Sequence, residues 1–111
     1  MSHDNKVYLH HIADAIKDIE SYTRCLKEPE FLKNKMVQDA VIRNLEIIGE
    51  AAKKIDKEFK NKYPNIEWQK ISGMRDVLIH DYMGVDVVIV WRVIENRLPQ
   101  LKKWINKILS L

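Results

Sequence analysis

Seven apolar residues, Val37, Val41, Leu45, Ile48, Ala52, Ile55 and Phe59, follow one another at steps of three or four. On a helix of 3.6 residues per turn they form one stripe, whereas on a strand they would scatter over both faces. The spacing predicts a single helix of about six to seven turns. A stripe of that length stays in water unless other elements cover it, so the chain must supply partner helices. One lies upstream, where Tyr8, Ile12, Ala15, Ile16, Ile19, Tyr22 and Leu26 repeat the pattern until Lys27, Glu28 and Pro29 end it.

Downstream, Asn61 to Asn65 form a break around Pro64, because proline disfavours helix in the residue before it. A third helical pattern starts near Ile66 and takes in Trp68, Ile71, Met74, Val77 and Leu78, interrupted at Ser72 and Gly73. Glycine within a helix costs about 1 kcal/mol relative to alanine, which predicts another backbone passing close to Gly73. Met83 and Gly84 are expected to turn the chain, with Asp86 capping the helix that carries Val87, Val88, Val90, Trp91, Ile94 and Leu98. The Val-rich run is also strand-like, but no second strand candidate exists to pair with it. Pro99 either kinks this helix or opens a new one, after which Leu101, Trp104, Ile105, Ile108 and Leu109 restore a stripe.

Composition agrees with an all-α chain. Three Gly and three Pro in 111 residues are too few for the frequent turns of a sandwich or barrel. A hydrophobic fraction of 46% excludes a disordered tail, and the length predicts one domain over residues 1–111. Cys25 stands alone, so no internal disulfide or thiolate metal site is available, and it is expected to be a small buried or partly buried residue. No apolar leader precedes the first stripe, and the longest apolar run, Val87 to Trp91, is far short of the roughly 20 residues a membrane span needs. A cytoplasmic protein is expected.

Charge is uneven. From Trp91 to Leu111 there are Arg92, Arg97, Lys102, Lys103 and Lys107 against Glu95, so this segment is +4 within a chain of net charge +3. Such a segment can follow a nucleic-acid backbone, although a solvated helix face is the simpler reading. Asp39, Arg43, Glu46 and Glu50 recur at helical spacing on the long helix, with Asp39 and Arg43 four apart. Surface or subunit-interface pairing explains these charges most simply, and cleft lining is the alternative for Asp39, Arg43 and Glu50. His3, His10 and His11 do not share a helix face at four-residue spacing, so no metal site is expected. Trp68, Trp91 and Trp104 fall on apolar stripes and read as packing residues.

Reactive groups concentrate in Met74-Arg75-Asp76-Val77-Leu78-Ile79-His80-Asp81-Tyr82-Met83-Gly84. Arginine offers a planar fork that matches phosphate oxygens, and histidine titrates near neutrality, so both suit phosphoryl chemistry without a metal or cofactor. On a continuous helix Arg75 and Tyr82 share a face while His80 lies about 140° round. Spacing alone leaves an ordinary ion-paired arginine and a helix-closing histidine as open alternatives.

The stretch resembles the Arg-x4-His-x-Tyr motif of the HEPN superfamily, in its HepT-like (DUF86) branch. Gln38 to Ala51 is similar to that branch's second-helix signature, and Arg75 to Asp86, Val90-Trp91 and Asn96-Arg97-Leu98-Pro99 resemble its second half, in the family's order. The resemblance implies a four- to five-helix bundle forming a homodimer, with the two motifs facing a shared cleft. It also implies a metal-independent endoribonuclease, the toxin of a type VII-like toxin–antitoxin pair, acting on RNA with tRNA as a candidate. Arg75 and His80 match the catalytic pair, Asp76 the supporting polar residue, and Tyr82 a tyrosine that a minimal nucleotidyltransferase antitoxin modifies with AMP. The alternative is a non-catalytic helical dimer that binds a nucleotide or docks the nucleotidyltransferase.

Overall fold

The computed structural model describes residues 4–73 and 86–111, and all regular structure among them is helical. The elements are α1 (Asn5–Thr23), α2 (Glu28–Phe31), α3 (Lys35–Lys54), α4 (Lys57–Asn61), α5 (described over 68–73), α6 (Val87–Asn96) and α7 (Leu98–Leu109). Four of these, α1, α3, α6 and α7, span ten residues or more and carry the bundle that the stripes predict. The short α2 and α4 are additions to the expected four or five helices. The α1 helix packs chiefly along α3, and α7 lies against both α1 and α6.

Three of the four long helices, α1, α3 and α6, begin where a side chain accepts an orphan backbone N–H. Asp4 accepts from Lys6 N–H at 3.1 Å, Asn34 from Val37 N–H at 3.1 Å, and Asp86 from Val88 N–H at 3.0 Å. The Asp86 cap is the one its sequence position predicts. Pro99 sits in the first turn of α7, where its missing N–H costs nothing, so it opens a new helix and does not kink the old one.

The core joins Leu9, Ile12, Ile16 and Ile19 of α1 to Val41, Leu45 and Ile48 of α3, with Leu101 and Ile105 of α7 and Phe31 of α2. These side chains are 2% exposed or less, and each contributes roughly 1.5–3 kcal/mol by leaving water. Thr23 is buried among them and satisfies its hydroxyl by donating to the Ile19 carbonyl at 2.8 Å. Phe31 also stacks against Trp91 of α6, with ring centroids 5.0 Å apart. Among the described residues the buried Trp91 indole Nε1 has no hydrogen-bond partner.

Five expectations are corrected. The stripe from Val37 to Phe59 is two helices, because Ile55 is extended and ends α3. Asn5 and Asp56 explain the break: Asn5 Nδ2 donates to Asp56 Oδ1 at 3.2 Å, and Asp56 N–H donates to Asn5 Oδ1 at 3.0 Å. In a continuous helix that N–H would be committed to the Ala52 carbonyl. The segment after Thr23 also differs, since Lys27 to Pro29 lead into the single turn α2, with Pro29 in its first turn. Residues 68–73 are helical up to Gly73, Ser72 included, and a Cβ built on Gly73 meets nothing within 4 Å, so no backbone crosses there among the described residues. Cys25 is exposed, because α1 has ended before it. Tyr22, placed on the α1 stripe, is 42% exposed at the end of that helix.

Among the described residues no helix is long and apolar enough to cross a membrane.

Candidate functional site

The α3 helix sorts its residues by angle. Taking Asp39 as zero and 100° per residue, Arg43, Glu46 and Glu50 fall within about 40° of it, while Val41, Leu45, Ile48 and Ala52 lie on the opposite side. Burial follows that division: the apolar set is buried, Asp39 and Arg43 are exposed, and Glu46 and Glu50 are half-buried. The expected pairing of Asp39 with Arg43 is replaced by other partners on the same helix. Lys35 Nζ reaches Asp39 at 3.1 Å and Arg43 lies 3.7 Å from Glu46. Both pairs are within one turn and largely in solvent, so each contributes only a few tenths of a kcal/mol.

Arg75, Asp76, His80 and Tyr82, with the Met83-Gly84 turn, lie outside the described residues. Their flanks are well anchored. Upstream, the α5 start is held by Trp68, whose Nε1 donates to the Tyr63 carbonyl at 3.1 Å, and by the buried Ile66 and Ile71. Downstream, the Asp86 cap starts α6, which buries Val90 and Trp91. The reactive stretch is therefore bracketed by two helices rooted in the core.

A feature the sequence did not single out lies beside α5. A shallow groove of about 120 Å³ opens between α5 and the α6–α7 junction, lined by Glu67, Lys70, Asn96, Arg97, Gln100 and Trp104 above an apolar floor of Ile71 and Leu101. Lys70 holds Glu67 at 2.7 Å. That hydrogen bond, the Lys70 charge and the more distant Arg97 keep the Glu67 carboxyl below its ordinary pKa. Arg97 makes no ion pair among the described residues. The signal for this groove was present in Asn96-Arg97-Leu98-Pro99, but a periodicity reading treats those residues only as a helix boundary. Cations of the C-terminal segment are exposed as expected, and one of them, Lys102, is committed to Glu20 of α1 at 2.9 Å. Among the described residues, no group of His, Cys, Asp and Glu is arranged to hold a metal ion.

An all-helical domain whose sequence carries an Arg-x4-His-x-Tyr stretch fits the class of small helical proteins of the HEPN type. The comparison with known families agrees: the model of the ribonuclease HepT-like family matches residues 12–108, and the chain belongs to that family. It is 46% identical over 97% of its length to a Thermococcus cleftensis protein named probable ribonuclease HepT, covering 98% of that protein. A Methanocaldococcus jannaschii protein provisionally named an RNase is 40% identical over 90% of the chain, covering 92% of that relative. Another from the same organism, whose provisional name joins a gamma-glutamylcyclotransferase to an RNase, is 47% identical over 99% of the chain. The chain spans half the length of that two-part relative. No solved structure matches the chain.

Proposed function

We propose that this chain is a ribonuclease whose chemistry is carried by Arg75 and His80. The observation that carries the reading is family membership across residues 12–108, with relatives named as ribonucleases, together with an intact Arg75-x4-His80-x-Tyr82 sequence within the matched region. The reaction is attack of a ribose 2′-OH on the adjacent phosphorus. The O2′–P bond forms, the P–O5′ bond breaks, and the products are a 2′,3′-cyclic phosphate and a 5′-OH. One His80 takes the 2′-OH proton and another donates a proton to the departing 5′-oxygen, while Arg75 bonds the non-bridging oxygens as they gain charge. Asp76 orients Arg75. A homodimer supplies the two copies of His80, and no metal or cofactor takes part.

In this reading the chain is the toxin of a toxin–antitoxin pair, with tRNA as a candidate substrate, and it works in the cytoplasm. A minimal nucleotidyltransferase partner silences it by joining AMP to the Tyr82 hydroxyl, releasing pyrophosphate from ATP. The added phosphate brings negative charge to Arg75 and fills the space that substrate phosphate needs. The test is expression of the chain alone. Growth arrest with loss of intact RNA is expected for the parent and not for His80→Ala. Equal arrest by both removes His80 from the mechanism. Co-expression with the neighbouring nucleotidyltransferase is expected to add the mass of AMP to the parent and not to Tyr82→Phe.

A further inference from the structure

We propose that the groove between α5 and the α6–α7 junction is a second contact for single-stranded RNA, seating one nucleotide with its base against Trp104 and its phosphate on Arg97. The choice of RNA rests on the ribonuclease reading; the groove itself rests on its geometry. Trp104 is half-buried: it packs against the core and also lines the groove. Aromatic faces of this kind hold bases of any sequence by stacking. Arg97 stands beside it with no ion pair among the described residues, and Asn96 and Gln100 add amides that can bond base edges.

Charge decides between an anionic and a neutral occupant. Among the described residues Glu67 is the one acid lining the groove, and Lys70 pairs with it at 2.7 Å, which leaves the Arg97 charge in excess there. Farther along, Lys107 lies one turn past Trp104, which is itself two turns past Arg97, so cation, ring and cation follow one edge of α7 over about 15 Å. Size decides between a polymer and a free nucleotide. The groove's 120 Å³ is well below the roughly 300–1,000 Å³ of sites that enclose a small molecule. It suits a strand that dips in one base and continues outside, with the remaining phosphates meeting surface cations.

The test is equilibrium binding of a fluorescein-labelled single-stranded RNA, 2′-O-methylated throughout so that it cannot be cleaved, to the full chain at low salt. Arg97→Gln and Trp104→Leu are each expected to weaken binding about five- to tenfold. Arg97→Gln is also expected to lower the salt slope by about 0.7. Glu67→Gln is expected to tighten binding, an effect of opposite sign that misfolding cannot mimic. Lys102→Gln, on the far side of α7 and tied to Glu20, is expected to shift affinity less than twofold. The proposal is overturned if Arg97→Gln stays within twofold of the parent, if Lys102→Gln loses as much as Arg97→Gln, or if the parent does not bind the RNA. Cleavage of unmodified RNA is scored separately. A parent that binds through the groove yet cuts nothing keeps the groove and removes the nuclease, and a cutting parent with indifferent groove variants does the reverse.

Discussion

The polar face of α3 and the outer edge of α6–α7 both carry several charges at helical spacing, yet they use them differently. On α3 the charges answer one another locally, Lys35 with Asp39 and Arg43 with Glu46. Over residues 91–111 the cations outnumber acids five to one, and of these only Lys102, on the far side of α7, has an ion pair among the described residues. A self-neutralised face attracts no polyanion and contributes little to stability. An edge with unspent cations beside a half-buried tryptophan attracts a phosphate backbone by releasing its counterions. The same residue types thus serve solubility in one region and recognition in the other, and the difference lies in how many acids stand among the cations.

The largest perturbation that bears on this comparison strikes the core beneath both regions. Ile48 is fully buried on α3, and Ile48→Ala is expected to cost about 2–5 kcal/mol in denaturant unfolding. The loss should be seen equally by probes on α3 and on α7 if the two regions share one cooperative core; separate transitions would divide the bundle into two units. Next in size is ionic strength. Raising salt from about 50 to 200 mM should weaken RNA binding by an order of magnitude or more while leaving the unfolding midpoint nearly unmoved, because the exposed α3 pairs contribute little. A midpoint that falls with the affinity would mean the α3 pairs matter to stability. The smallest effect is expected from Asp39→Asn, less than 0.5 kcal/mol on stability and less than twofold on RNA affinity. A large loss of cleavage in that variant would return the α3 face to the cleft-lining role.

Much of the scaffold was legible because it depends on local rules. The stripes locate α1, α3, α6 and α7, and Asp86 and Pro99 mark helix starts by chemistry that needs no distant partner. What was not legible depends on distance. The end of α3 at Ile55 is set by Asn5, which lies 51 residues away in sequence from Asp56, and no pattern around Ile55 announces it. The exposure of Cys25 follows from the end of α1 two residues earlier, a boundary the stripe through Leu26 overran. For the site, residue types in Arg75 to Tyr82 suggest phosphoryl chemistry, but on spacing alone a structural role is the stronger reading, and it is the resemblance to the HepT-like branch that favours a catalytic one. The Arg97–Trp104 groove escaped because its walls come from three helices, and only the folded chain brings Glu67 and Lys70 to Arg97.

The most direct test of the central claim is incubation of the purified full chain with RNA in the presence of a chelator, followed by analysis of the new ends. The expected result is fragments ending in 2′,3′-cyclic phosphate and beginning with 5′-OH, with the rate reduced about 10²–10⁴-fold in a folded His80→Ala variant. Intact RNA with the parent, or equal cleavage by His80→Ala, would contradict it.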